Sequence, residues 1–303
     1  MISPLRYPGG KTRAVKHILP HFPENVKRVC SPFVGGASLE LALAKKGVEV
    51  YGYDLFWPLY NFWHCAANHN KELVHEVYKL KPLTKEKFLH LRKLLAAYQH
   101  YRVIDVNYAA AYYAINRSSF SGGTLSGGFS RQAEEKRFNE NAIKRLSNYE
   151  EPNFKAGYAP FEVSLEKHKD SFIYLDPPYL LENKSNKLYG VSGDLHQEFP
   201  HKRLHKILTK RRGWIMSYND SEEIRQMYSD YDIIEAEWAM GMKNVSSPAV
   251  VEEKKFLQRC LDDIEGNKKK FKSHARYKKQ LQEWLEELKK PQGKSSEILI
   301  IAK

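Results

Sequence analysis

The sequence is poor in cysteine: Cys30, Cys65 and Cys260 are the only three in 303 residues. They are far apart, odd in number and without CxxC spacing. That excludes a disulfide framework and a zinc site, and suits reduced thiols inside a cell. Long apolar runs are missing as well. Nothing approaches the length of a membrane span, and the first residues carry no signal-peptide core, so a cytoplasmic protein with no membrane partner is expected. Internal repeats and polar low-complexity tracts are absent, which argues for a globular fold over a solenoid or a disordered chain. Acidic residues are in deficit. Lys and Arg number 49 against 36 Asp and Glu, a formal net charge of +13 and a pI near 9.4. That balance points to a polyanionic partner more than to an acidic small molecule. The length is near the limit of one core, so a domain with an inserted region is the natural arrangement.

Two nucleotide-binding signatures are incomplete. Gly9-Gly10-Lys11-Thr12 ends like a phosphate loop, but that loop needs another glycine five positions before Gly10, and Leu5 stands there. An NTPase is therefore disfavoured. Tyr7-Pro8-Gly9-Gly10 reads as a tight turn ahead of a short helix over 11–19, stopped by Pro20. As a lid it would bring the Tyr7 ring and the Lys11 cation to a bound ligand. The full dinucleotide fingerprint is missing too. In its place come a strand over 26–31, the turn Pro32-Phe33-Val34-Gly35-Gly36-Ala37, a helix over 38–46 closed by Gly47, and a strand over 48–53 ending in Asp54. Glycines at a strand-to-helix turn let a ligand approach the backbone, and an acid about 20 residues beyond is placed for ribose hydroxyls. This favours a mononucleoside cofactor over a nicotinamide one.

The most informative stretch is SFIYLDPPY, residues 171–179. Residues 172–175 form a short apolar run bounded by breakers, which predicts a buried strand of a parallel sheet. Pro177 and Pro178 have fixed φ and no N–H, so the chain leaves the sheet extended and stiff. A carboxylate, backbone carbonyls and a ring are then held at the carboxyl end of a strand, where open α/β sheets bind ligands. An amino group on a flat ring would donate to Asp176 and to the Pro177 carbonyl, with the Tyr179 ring on its face.

Between these motifs, residues 57–148 read as mostly helical, with apolar spacing over 72–78, 85–98 and 106–116. The following segment, 116–131, has two Gly-Gly pairs and reads as a flexible loop or hairpin. Asn116 opens it, Arg117 and Arg131 bracket two aromatics including Phe120, and this composition suits phosphates and bases. Further strands are expected over 153–158, 214–219, 233–240 and 297–302, a polar loop over 180–200 and a helix over 201–209. Residues 252–290 are dense in charge. Within 266–282 there are seven basic residues and no acid, which predicts an electrostatic clamp through Lys268, Lys269 and Lys270.

Taken in order, PLRYPGGK, SPFVGGAS, Asp54, the Asn116-Arg117 hairpin and LDPPY resemble the Dam-type DNA adenine methylases. The resemblance covers residues 4–240 and the final strand. It implies an α/β fold: a Rossmann-like methyltransferase sheet from 1–60 and 150–303, with a basic helical insertion at about 252–292, and a mainly helical target-recognition region at 61–149. It implies S-adenosylmethionine as cofactor, bound by Tyr7, Lys11, Phe33, Gly35, Asp54, Tyr158 and Asp176. The implied reaction moves a methyl group to the amino nitrogen of an adenine extruded from double-stranded DNA, with Asp176, Pro177, Pro178 and Tyr179 catalytic and no metal needed. Asn116, Arg117, Phe120, Arg131 and Lys268 to Lys270 would contact DNA. The family also admits a separate restriction endonuclease as partner. Amino methylation of cytosine, or of a base in structured RNA, stays open. Three positions depart from the family: Ser31, where an acid usually precedes Pro-Phe-Val-Gly; Tyr7, often Trp; and Pro160, where an acid is expected after Tyr158.

Overall fold

The computed structural model describes residues 3–180, 199–236, 256–259, 279, 281–282 and 297–302. The chain divides into two compact units, residues 1–239 with 296–303, and residues 240–295. In the second unit the buried residues among those described are Leu257 and Leu281. The expected clamp lysines Lys268, Lys269 and Lys270, most of the charged insertion and most of the 180–200 loop lie outside the described residues.

The first unit holds a seven-stranded sheet: β1 Arg28–Ser31, β2 Glu49–Asp54, β3 Phe154–Tyr158, β4 Phe172–Leu175, β5 Trp214–Asn219, β6 Asp232–Glu235 and β7 Glu297–Ala302. The spatial order is β3-β2-β1-β4-β5-β7-β6. β1 to β5 pair in parallel, and β7 runs antiparallel to both β5 and β6. The described helices are α1 Val15–Ile18, α2 Ser38–Ala44, α3 Trp57–Asn68, α4 Asn70–Lys79, α5 Lys85–Tyr98, α6 Val106–Ser118, α7 Arg131–Arg137, α8 Glu140–Ser147, α9 Phe161–Lys167, α10 His201–Leu208 and α11 Glu222–Met227.

Successive strand residues face opposite sides, so a central sheet needs apolar residues at both parities. The strands supply them. Val29, Tyr174, Ile215 and Leu299 join a core with α1 to α6 and α8. Cys30, Ile173, Leu175, Trp214, Met216 and Ile300 join a second core with Phe161 and Leu165 of α9, Leu204 and Leu208 of α10, and Ile224 of α11. Helices therefore cover both faces, as the Rossmann-like expectation requires. Among the described residues no helix is long and apolar enough to cross a membrane.

The strand order places β2 and β4 on either side of β1. Chain direction across the sheet reverses there, so a crevice opens at the carboxyl ends of β1 and β4. The glycine turn follows β1 and Asp176 follows β4.

Residues 61–149 fold around α6, which packs against α3, α4, α5 and α7. Residues 109–118 are all buried, and four alanines in that stretch let neighbouring helices approach. Asp105 caps α6, accepting from Asn107 N at 2.7 Å and Tyr108 N at 3.1 Å. Asn61 on α3 grips the Asp105 backbone on both sides, at 2.9 and 2.8 Å. The amino end of α6 is thus fixed, and the helix then runs buried to Ser118, where the hairpin begins.

Most expected elements appear within a few residues of their expected limits; three need a closer description. The helix over 11–19 is a 3-10 turn Lys11–Arg13, then α1, then a 3-10 turn Leu19–His21 that includes Pro20. Proline is tolerated there because the first N–H groups of a helical turn have no internal partner. Of the strand expected over 233–240, β6 covers Asp232–Glu235, and positions 237–240 lie outside the described residues. For 116–131, expected as a flexible loop or a hairpin, the structure shows the hairpin. It holds a 3-10 turn Phe120–Gly122 and an antiparallel bridge between Ser119 and Phe129, and it closes through Ser130 N to Ser118 O at 2.9 Å.

Candidate functional site

Asp176 leaves β4 into a buried charged cluster. Lys11 Nζ lies 2.8 Å from Asp176 Oδ1 and 3.3 Å from Glu297 Oε1, and it donates to the Tyr179 hydroxyl at 2.8 Å and the Gly9 carbonyl at 3.0 Å. The Tyr179 hydroxyl in turn donates to Glu297 Oε1 and, at 3.4 Å, to Asp176 Oδ1. The Lys11 ion pair and the Tyr179 hydrogen bond both reach Asp176 through Oδ1, and 22% of the side chain is exposed. Burial pushes the Asp176 carboxyl up to about 6, with Lys11 pulling it down and Glu297 pushing it up. Burial also works to lower the Lys11 ammonium, but Asp176 and Glu297 outweigh it and hold the pKa above its ordinary value. One face of the Tyr179 ring stacks on Tyr218 at 5.7 Å. Beyond it, the Asn219 amide pairs with the Leu180 backbone at 3.1 and 3.0 Å and so fixes the end of the proline turn.

In the second half of the crevice the donors to the carboxylate are neutral. Asp54 Oδ2 accepts from Gly35 N at 3.2 Å and Oδ1 from Phe56 N at 3.0 Å. Burial raises its carboxyl to about 6 against those backbone donors. Gly35 has φ +46°, and a Cβ there would come 2.9 Å from the Tyr7 ring; on Gly36 it would come 2.7 Å from Tyr7 Cβ. The Tyr7 turn therefore folds directly over the glycine turn, and only glycine permits it. Tyr158 is paired in register with Asp54, with Trp57 edge-on to its ring at 5.0 Å. Phe33 packs against Phe161 at 5.8 Å and Phe199 at 5.4 Å. A carboxylate for a diol, a close backbone and aromatic walls form the donor set a nucleoside requires, so these residues fit an adenosyl cofactor.

Tyr7, Lys11, Phe33, Gly35 and Asp54 thus gather around the ends of β1, β2 and β4, as do Tyr158 and Asp176. Lys11 does so on the Asp176 side of the crevice. The residues expected to contact DNA divide. Asn116 and Arg117 lie inside. The Asn116 amide binds Arg6 N at 2.9 Å, Arg6 O at 2.6 Å and Gly122 O at 3.1 Å. Arg117 donates to Arg137 O at 2.8 Å and Pro4 O at 3.3 Å. Phe120 is 66% exposed, and Arg131 is exposed in an i,i+4 pair with Glu135.

Two acids escaped the sequence reading. Glu40, buried on α2, accepts from the Ser31 hydroxyl at 2.6 Å. The serine that departs from the family pattern thus meets a carboxylate from the next helix. Burial pushes Glu40 up to about 7, against the Ser31 bond. Glu297, at the start of β7, is the other. The available signal was a lone acid in an apolar element, Leu39-Glu40-Leu41 and Glu297-Ile298-Leu299.

The sequence model of the D12 class N6 adenine-specific DNA methyltransferases matches residues 7–242 of the chain. Among curated proteins, the type II methyltransferase M.MjaIII of Methanocaldococcus jannaschii is 26% identical over 209 residues, covering 60% of this chain and 70% of the relative.

Proposed function

Because this chain belongs to the D12 class N6 adenine-specific DNA methyltransferase family, we propose that it extrudes its target adenine from duplex DNA and receives the base at the carboxyl end of β4. Membership makes it an adenine-specific DNA methyltransferase and speaks against the cytosine and RNA alternatives. It also implies S-adenosylmethionine, which when bound supplies an electrophilic methyl group on a sulfonium. Asp54 would hold the ribose hydroxyls, Tyr158 and Phe33 the adenosine rings, and Gly35 the close approach, with Tyr7 as cover.

The target amino group donates one hydrogen to Asp176 Oδ2 and one to the Pro177 carbonyl. Both bonds favour the nitrogen lone pair leaving conjugation with the ring, which is what attack requires. Lys11 holds Oδ1 so that Oδ2 keeps one orientation, and Pro178 stiffens the turn. The base stacks on the Tyr179 ring. Rate enhancement comes from positioning and electrostatics. The observation that carries this reading is the Asp176 carboxylate, anchored through Oδ1 and partly exposed, beside the strand-order reversal.

Residues 1–60 and 150–303 form the catalytic part in this reading, and 61–149 the target-recognition part. Phe120 and Arg131 meet DNA directly. Asn116 and Arg117 act from behind by fixing the hairpin to the lid segment. Lys268, Lys269 and Lys270 bind phosphates, so neutralising all three reduces the salt slope of log K by roughly 2.7. In this reading the chain works in the cytoplasm, and the type II name of the relative favours a separate restriction endonuclease beside it. Modification-sensitive sequencing of DNA from cells expressing the chain should show N6-methyladenine in one sequence context, and none with Asp176→Asn. Modified cytosine, or an unchanged adenine pattern in the variant, contradicts the reading.

A further inference from the structure

Methyl transfer to an amino group asks for one carboxylate, yet the cluster after β4 contains two. The second, Glu297, arrives from the far end of the sequence on the antiparallel strand β7. Its position is fixed by the ladder: Glu297 pairs with Asn219 of β5, the residue whose amide closes the Leu180 backbone. Only 2% of its side chain is exposed. The rest of β7 is Ile298-Leu299-Ile300-Ile301-Ala302, all buried, so an apolar residue would suit the strand. A buried carboxylate costs several kcal/mol in desolvation, and a strand of this kind gains nothing from it for folding.

Its contacts show what it touches. Glu297 Oε1 takes the Tyr179 hydroxyl hydrogen and lies 3.3 Å from Lys11 Nζ, which is also 2.8 Å from Asp176 Oδ1. One ammonium is therefore shared by two carboxylates, and the cluster carries one net negative charge when both are ionised.

We propose that Glu297 is a positioning residue for methyl transfer: by sharing Lys11 and Tyr179 with Asp176, it keeps the lysine from neutralising the catalytic carboxylate and leaves Asp176 able to take the proton shed by the adenine amino group. The proposal rests on the assignment of Asp176 to that group. In the reaction the nitrogen lone pair forms the N–C bond and the C–S bond breaks with its electron pair going to sulfur. The nitrogen, now positively charged, gives one proton to Asp176 Oδ2, and Asp176 returns it to water through its exposed edge. Paired with Lys11 alone, Asp176 would be a poorer proton acceptor, because a neighbouring cation stabilises the ionised form.

The groups facing Asp176 are Lys11 from the first 3-10 turn, Glu297 from β7, Tyr179 after β4, Tyr174 within β4 and Glu40 from α2. Burial and Glu297 act upward on its carboxyl, Lys11 and the Tyr179 hydroxyl downward.

The test is a carboxyl carbon NMR titration of the ligand-free protein, with the Asp176 signal assigned by its loss in Asp176→Asn and the Glu40 signal by Glu40→Gln. Glu297→Gln keeps the shape and removes the charge, so the Asp176 midpoint should fall by about one pH unit or more. The acid limb of the single-turnover methylation rate should fall with it. Glu297→Asp retains the charge and should hold the midpoint within about half a unit of the wild type. An unmoved or raised midpoint in Glu297→Gln, or an equal fall in Glu297→Asp, overturns the proposal. If Glu297→Gln fails to fold, Lys11→Met gives the complementary reading: the midpoint should rise, and no rise overturns the sharing of the lysine. Full activity of Asp176→Asn would sink the assignment of Asp176 itself. Loss of activity there with an unmoved midpoint in Glu297→Gln sinks only the role of Glu297.

Discussion

Asp54 and Asp176 stand at the carboxyl ends of two parallel strands, and burial lifts both carboxyls to about 6, yet they are held by opposite means. Asp54 is fixed by the backbone N–H groups of Gly35 and Phe56, neutral donors on the turns that follow β1 and β2. Asp176 is fixed by a charged side chain, Lys11, and a hydroxyl shared with a second acid. Backbone donors leave a carboxylate set to accept from another neutral group, as a ribose hydroxyl is. A shared cation leaves one whose affinity for a proton can be tuned. In the proposed reading, one sheet thus builds a binding carboxylate and a reacting carboxylate two strands apart.

The difference can be broken most forcefully at Lys11. Lys11→Met removes the cation and leaves Asp176 and Glu297 facing each other in a buried site. Breaking a buried pair from one side costs roughly 3–5 kcal/mol. The exposed edge of Asp176 puts this case at the low end, about 3 kcal/mol by urea denaturation at pH 7.5. The Asp54 end should not respond, so cofactor affinity measured on the folded variant should change little from that side of the crevice.

Glu40→Gln should give an effect of similar size with a pH signature. Glu40 titrates at about 7 in the fold against an ordinary 4.5. The native state holds the extra proton, so the stability from protonation is complete below 4.5 and is lost as pH rises through 7. Relative to the wild type, the glutamine variant should gain about 3 kcal/mol between pH 4.5 and pH 8. Parallel stability curves would remove Glu40 from the titrating groups of the crevice.

Phe120→Ala should act away from both aspartates. Loss of an exposed stacking ring should weaken DNA binding by roughly 1–3 kcal/mol, leaving the cofactor constant and the salt slope unchanged. Asn116→Ala should loosen the lid as well as the hairpin, because its amide binds both Arg6 and Gly122. A variant that loses DNA discrimination while its cofactor affinity stays the same would confine Asn116 to the hairpin.

The sheet was legible because its strands are short apolar runs ended by glycine, proline or aspartate; β4, β5 and β7 fall on the expected residues. Asp54 and Asp176 were legible for the same reason, since a strand end is a local feature. Lys11 was placed at the ligand, but its partner was not visible, because the Asp176 contact joins residues 165 positions apart through the strand order. Glu297 was hidden for the same reason. Asn116 and Arg117 misdirected the reading in a different way. Their residue types suit DNA, but α6 is buried on all sides to its last turn, so their polar groups turn to the backbone of the lid and of α7. Composition alone cannot tell an arginine that satisfies buried carbonyls from one that meets phosphate.

The most direct test crosses the two aspartates. Asp54→Ala and Asp176→Asn are each measured by calorimetry with S-adenosylmethionine, and by single-turnover methylation at saturating cofactor and DNA. Asp54→Ala should weaken cofactor binding by roughly 1.5–3 kcal/mol and keep a near-normal rate once saturated. Asp176→Asn should bind cofactor nearly as well as the wild type while its methylation rate falls by about a thousandfold or more. Two variants with the same pattern, or a saturated Asp176→Asn that methylates at the wild-type rate, would contradict the division between a binding and a reacting carboxylate.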